Sequence, residues 1–275
     1  MLEILQYSFM QKALFAGSII SITCSLLGVF LILRRMALIG DGLSHIAFGG
    51  VAVGLFTSKI FDFIEEKYAF VIALIFSILA SLGIVKLREF AKVYGDVSIG
   101  IVFSFALALG VILISLAHGF SVDLHSFLFG NIISITEEDV LLALILGGAV
   151  FTLLALYQKE LMYLSFDEVS AKVAGIPVSK LNTLLIVLTS IMVVISIRIV
   201  GILLISSFLI IPPAAALQVS RSFKQTLLLS GFFGFVSLIL GLISSYYFDL
   251  ASGGAVVMSS IFIFALCFFY NQIKK

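Results

Sequence analysis

Asp41 and His45 lie four residues apart inside the apolar stretch Met36 to Phe56 and are its only strongly ionisable side chains. On a helix, positions i and i+4 share a face, so a carboxylate oxygen and an imidazole nitrogen stand side by side. Such a pair supplies two ligands for a divalent ion such as zinc or manganese. An Asp in the middle of a membrane helix costs about 3 kcal/mol on insertion scales, which makes an ion path the first functional reading of the pair. The same two residues also suit hydrogen bonding that holds a bundle together, or a proton relay. A closed zinc site takes four ligands, so further donors are required. Ser44, water or a second copy of the chain, paired symmetrically about a central pore, would supply them.

The remaining polar groups fall in two connecting segments. His118 to Asp139 holds the other two histidines together with Asp123, Glu137, Glu138 and Asp139. Asp123 and His125 are candidate cation contacts at a pore mouth, because an acidic rim concentrates cations. Thr136 and Asp139 read as the cap of the helix that follows. Between Lys159 and Lys180 a short cytoplasmic helix is expected, with Ser165 and Glu168 as a capping box, Ala171 and Val173 within it, and Gly175 and Pro177 ending it. Arg198 is expected to snorkel to the outer surface.

The elements that position these groups follow from composition. With 62% hydrophobic and 11% charged residues over 275 positions, the chain reads as an all-α polytopic membrane protein. It forms one transmembrane domain, 1–275, with a cytoplasmic segment at about 159–180 and no room for a sizeable soluble domain. Apolar runs at 13–33, 37–56, 69–87, 97–117, 140–158, 181–197, 199–219, 226–248 and 254–272 give eight or nine spans. The doubtful run is 199–219, where Pro212 and Pro213 remove backbone donors and are expected to break the helix. Placing Arg34 and Arg35 in the cytoplasm and alternating leaves only Lys12, Lys59, Lys67 and Arg198 outside, four of the 16 basic residues. That bias puts the N-terminus outside and the C-terminus inside. If the second span begins just after Arg35, His45 lies about 15 Å along it, near the bilayer midplane.

Several function classes are disfavoured. No G-x-x-x-x-G-K-[ST] phosphate loop, H-E-x-x-H helix or nucleophile and base constellation is present, so an enzyme is not expected and ATP hydrolysis would belong to another chain. A net charge of +1 gives nucleic acid no purchase. Cys24 and Cys267 read as small apolar residues in spans, and the N-terminus shows no cleavable signal, so the first span is expected to direct insertion. Gly50 and Gly54 let another helix approach closely, and a second copy of the chain would account for that face.

The stretch Arg34-Arg35-Met36-Ala37-Leu38-Ile39-Gly40-Asp41-Gly42-Leu43-Ser44-His45 resembles the signature of the permeases of bacterial zinc, manganese and iron ABC uptake systems. Val122-Asp123-Leu124 with Phe127-Leu128-Phe129-Gly130, Val200-Gly201-Ile202-Leu203-Leu204 and Leu209-Ile210-Ile211-Pro212-Pro213-Ala214 extend the likeness over nearly the whole chain. The resemblance implies a plasma-membrane permease with the type II ABC importer fold, two permease chains facing each other, a cytoplasmic ATP-binding subunit and an extracytoplasmic metal-binding protein. It places Asp41 and His45 on the family's metal-ligand positions. The segment with Ser165, Asp167, Glu168, Ala171 and Gly175 falls on the element that docks on the ATPase. No permanent cofactor is implied; the metal is cargo. An oxygen and nitrogen pair suits zinc, manganese or iron(II), and zinc is the preferred expectation. An ion-gradient-driven secondary transporter and a non-transporting membrane assembly protein are the alternatives, the former weakened by the lack of inverted halves.

Overall fold

Without water in the bilayer core, each backbone N–H and C=O must find a partner within its own segment, so apolar runs of this length become helices. The computed structural model describes residues 7–60, 68–90, 95–116, 130 and 135–274. Nine long helices appear among them: α1 (Ser8–Leu33), α2 (Ile39–Ile60), α3 (Ala69–Phe90), α4 (Gly95–Leu116), α5 (Glu137–Leu156), α8 (Val178–Val200), α9 (Ile202–Val219), α10 (Phe223–Phe248) and α11 (Ser252–Lys274). Two short ones, α6 (Gln158–Phe166) and α7 (Glu168–Val173), connect α5 to α8. Eight of the long helices are long and apolar enough to cross a membrane, and α9 is a shorter apolar helix.

The bundle is layered. About two thirds or more of the spanning part of α1, α2 and α8 is buried (67, 72 and 72%), against 22, 22 and 28% for α3, α4 and α5. The first three form the interior, whereas the others turn apolar stripes outward. On α3, Val71, Ile75 and Leu79 repeat at helical spacing and are all exposed, as a lipid-facing surface requires.

Glycines on α2 set how closely its neighbours pack. A Cβ on Gly49 would stand 2.4 Å from the Ala106 carbonyl oxygen of α4, and one on Gly54 would stand 2.5 Å from the Ala69 oxygen of α3. Helices of the same chain therefore occupy the glycine face. The close approach of another helix is as the sequence predicts, while a second copy is not what accounts for the face.

The prolines do not break α9, which runs unbroken through Pro212 and Pro213. The interruption falls earlier, at Gly201, whose φ of +84° separates α8 from α9 in a conformation that glycine tolerates best. Pro213 deprives the Leu209 carbonyl of its helical donor. That oxygen faces Gly28, where a Cβ would lie only 2.1 Å away, so α1 seats against the weakened turn.

Polar ties gather the helix ends at two poles. At one, Lys12 near the start of α1 lies 3.4 Å from Glu137 at the start of α5, and Arg198 near the end of α8 lies 3.2 Å from Asp139. At the other, Asn271 of α11 donates to Gln218 of α9, and Arg34 pairs with Glu168.

Candidate functional site

α1 ends in a left-handed cap. Arg35 takes φ 56°, its N–H donates to Ile32 O, and the Met36 N–H donates back to Leu31 O at 2.8 Å. Met36 to Leu38 form a turn, and α2 begins at Ile39. His45 is thus six residues into its helix, about 9 Å along it. The second helix therefore begins four residues after Arg35 and not directly behind it, because the intervening segment is spent on the cap and turn.

Asp41 occupies the first turn of α2, where free N–H groups and the helix dipole favour an anion. Its Oδ1 lies 3.9 Å from Nε2 of His45, within reach of one ion held about 2.1 Å from each. The His45 ring rests against Phe103 of α4, with centroids 5.0 Å apart. Gly42, Leu43, Ser44, Ile46 and Ala47 are all buried. Asp41 and His45 nevertheless remain 57 and 34% exposed, on the one open stripe of an otherwise covered helix.

Among the described residues, no group of three or more His, Cys, Asp or Glu is placed to hold a metal. Ser44 is withdrawn from the expected donors, since it is fully buried and its hydroxyl donates to Gly40 O at 2.8 Å. Asp123 and His125, with His118, lie outside the described residues.

The coupling segment departs from the expected single helix. Ser165 is not a cap, because its hydroxyl donates backward to Leu161 O. Asp167 takes that role: it adopts extended backbone between α6 and α7, and its carboxylate accepts the N–H groups of Val169 and Ser170 at 3.0 Å each. A carboxylate one residue ahead of the new helix caps it better than a hydroxyl held in the preceding turn. At the other end Gly175, at φ +78°, and Ile176 return their N–H groups to Lys172 O and Ala171 O, the glycine stop the sequence predicts. Ala171 is the buried residue of α7, while Val169 and Val173 point outward, 72 and 86% exposed.

Glu168 does not close a capping box with Ser165. One carboxylate oxygen accepts from Nη2 of Arg34 at 3.0 Å, and the other lies 3.4 Å from Lys172. Arg34 also donates through Nη1 to Leu164 O. Burial pulls the Arg34 guanidinium below its ordinary pKa, and Glu168 offsets part of that. In the sequence Arg34 serves as a marker of sidedness and as the start of the stretch that carries the family resemblance, with no partner assigned to it. The missed signal was an arginine beside the site helix with an acidic residue in the coupling segment.

Arg198 is not simply splayed to the surface. Besides Asp139 it meets the Phe70 ring at 5.4 Å, and Asp139 is itself buried at 5% exposure while forming the expected capping box with Thr136.

The ABC 3 transport family matches residues 6–271 of the chain. The chain belongs to the ABC 3 transport family. This permease is 38% identical to the manganese transport system membrane protein MntC of Listeria monocytogenes, over 97% of this chain and 92% of that protein. It is 36% identical to the manganese import system permease protein ScaB of Streptococcus gordonii, over 96 and 91% of the two chains. Among solved structures, PsaBC from Streptococcus pneumoniae in complex with Fab superposes with a TM-score of 0.83 at 34% identity, covering 99% of this chain and 97% of that one. A metal-chelate type ABC transporter in an inward-facing conformation shares the fold, with a TM-score of 0.71 at 18% identity. The chain is accordingly a multi-pass plasma-membrane permease subunit of the metal-uptake ABC class and not an enzyme.

Proposed function

We propose that this permease carries a divalent metal ion into the cell, with Asp41 and His45 as its ligands inside the membrane. The observation that carries the reading is the open Asp41 and His45 pair on a helix whose other flanks are covered. Two identical chains facing each other across a pathway would combine two carboxylates and two imidazoles, a four-ligand set that neither chain offers alone. Manganese is the first cargo to test, because relatives named for manganese align over nearly the full length; oxygen and nitrogen donors accept manganese and zinc alike. The energy comes from a separate cytoplasmic ATP-binding subunit that meets α6 and α7, where Val169 and Val173 present an apolar edge. The ion arrives from an extracytoplasmic metal-binding protein.

The test is uptake of manganese and of zinc into liposomes holding permease and ATPase, with the loaded binding protein outside. Asp41→Ala and His45→Ala should each abolish most uptake while the bundle still assembles. Uptake that survives both substitutions would exclude these ligands, and crosslinking in the bilayer checks the paired arrangement.

A further inference from the structure

We propose that the Arg34 and Glu168 ion pair locks the α1–α2 connector to the coupling helix, so that displacement of α7 by the ATPase moves Asp41 and His45 with it. The inference rests on the ATP-driven reading above and names the residues that transmit the motion.

Arg34 reaches two helices at once. Its side chain is 5% exposed, and its two terminal nitrogens donate to Leu164 O near the end of α6 and to the Glu168 carboxylate at the start of α7, both at 3.0 Å. The planar fork of a guanidinium can hold both acceptors in a fixed geometry, which a lysine ammonium cannot. α7 has little else to hold it, since Ala171 is its buried residue and its valines face outward. Lys172 pairs with the other oxygen of Glu168, so the carboxylate is gripped from both sides.

The other end of the lock has no slack. Arg34 caps α1, and Met36, Ile39 and Gly42 donate in turn to Leu31, Met36 and Leu38 across the connector. Asp41 follows seven residues after Arg34. Leu209 of α9 braces the start of α2 from the far side, its Cδ1 lying 2.5 Å from where a Cβ on Gly40 would sit. A push on α7 therefore passes through one ion pair and one hydrogen-bonded turn to the open carboxylate.

Arg34→Lys, Glu168→Gln and the exchanged pair Arg34→Glu with Glu168→Arg are compared with the native chain in liposomes with ATPase and loaded binding protein. Metal moved per ATP hydrolysed should fall about fivefold or more in each single variant, the lower range of allosteric couplings. Manganese binding and ATPase co-purification should stay near native, and the exchanged pair should regain part of the ratio. An unchanged ratio overturns the lock, as does a fall that merely tracks lost assembly or lost ATPase docking. A second measurement keeps Arg34 and Glu168 intact: spin labels at Leu38 and at Ala174, the residue that ends α7, both exposed, should keep their separation when ATP is added to the complex. A separation that changes overturns the lock even if the variants fail to fold. Absence of uptake by the native chain would instead sink the transport reading, leaving the distance measurement to judge the lock alone.

Discussion

Arg198 and Asp139 meet at 3.2 Å, tying the end of α8 to the first turn of α5. The carboxylate is buried and already shared with Thr136, whose hydroxyl and N–H both donate to it. Arg198 is 38% exposed, so solvent weakens the pair from its side. Removing the cation leaves the anion buried. Arg198→Leu should therefore cost about 1–3 kcal/mol, below the full penalty for breaking a buried pair. Thermal unfolding in detergent checks this, and adding Asp139→Asn to Arg198→Leu should recover part of the loss.

Close backbone approach predicts which glycines tolerate a methyl. Gly49→Ala and Gly54→Ala must push carbonyl oxygens aside, which should destabilise by about 1–3 kcal/mol. Gly148, in α5, has nothing within 4 Å of the same position. Gly148→Ala should be neutral or stabilise by about 0.5–1 kcal/mol through helix propensity. Melting temperatures of the three variants would separate these outcomes.

The coupling segment should resist mild acid. Burial works to raise the Glu168 pKa, but Arg34 and Lys172 outweigh it and hold the group below its ordinary 4.5. The Ser170 hydroxyl, followed by backbone N–H groups, holds Asp167 below its ordinary 3.8. Carboxylates lowered in the folded state stabilise it fully above their ordinary values and lose that contribution as pH falls through the lowered ones. The mobility of a spin label at Val173 should thus stay constant from neutral pH to about pH 5 and rise only below the ordinary carboxylate range. Loosening that starts nearer neutrality would contradict the assignment.

Val169 and Val173 are four apart on α7 and both exposed. If they form the docking edge, Val169→Asp or Val173→Asp should prevent co-purification of the ATPase while manganese binding to the permease stays unchanged. Retained association would move the docking surface elsewhere.

Most of the helices were legible from their apolar runs, since in a bilayer length and hydropathy decide the element. What escaped were the junctions. Met36 to Leu38 look like the start of a span, yet Arg35 closes the preceding helix and they become a turn. Pro212 and Pro213 look like a break, yet tight packing against Gly28 supports α9 while Gly201 makes the joint. Ser165 and Glu168 have capping-box spacing, but Asp167 is the cap. For the site, four-residue spacing put Asp41 and His45 on one face, as the structure has it. Their openness depends on packing between distant helices, which spacing alone does not carry. The partners of Arg34 and Arg198 lie more than a hundred and about sixty positions away, respectively, beyond any local pattern.

The exposed half-set on α2 has a genetic corollary on the two-chain reading. A defective copy would spoil every pair it joins, so a cell producing native and Asp41→Ala chains together would lose more transport than the native share alone predicts. Dominance of that allele would itself be a signature of a pathway built from two halves.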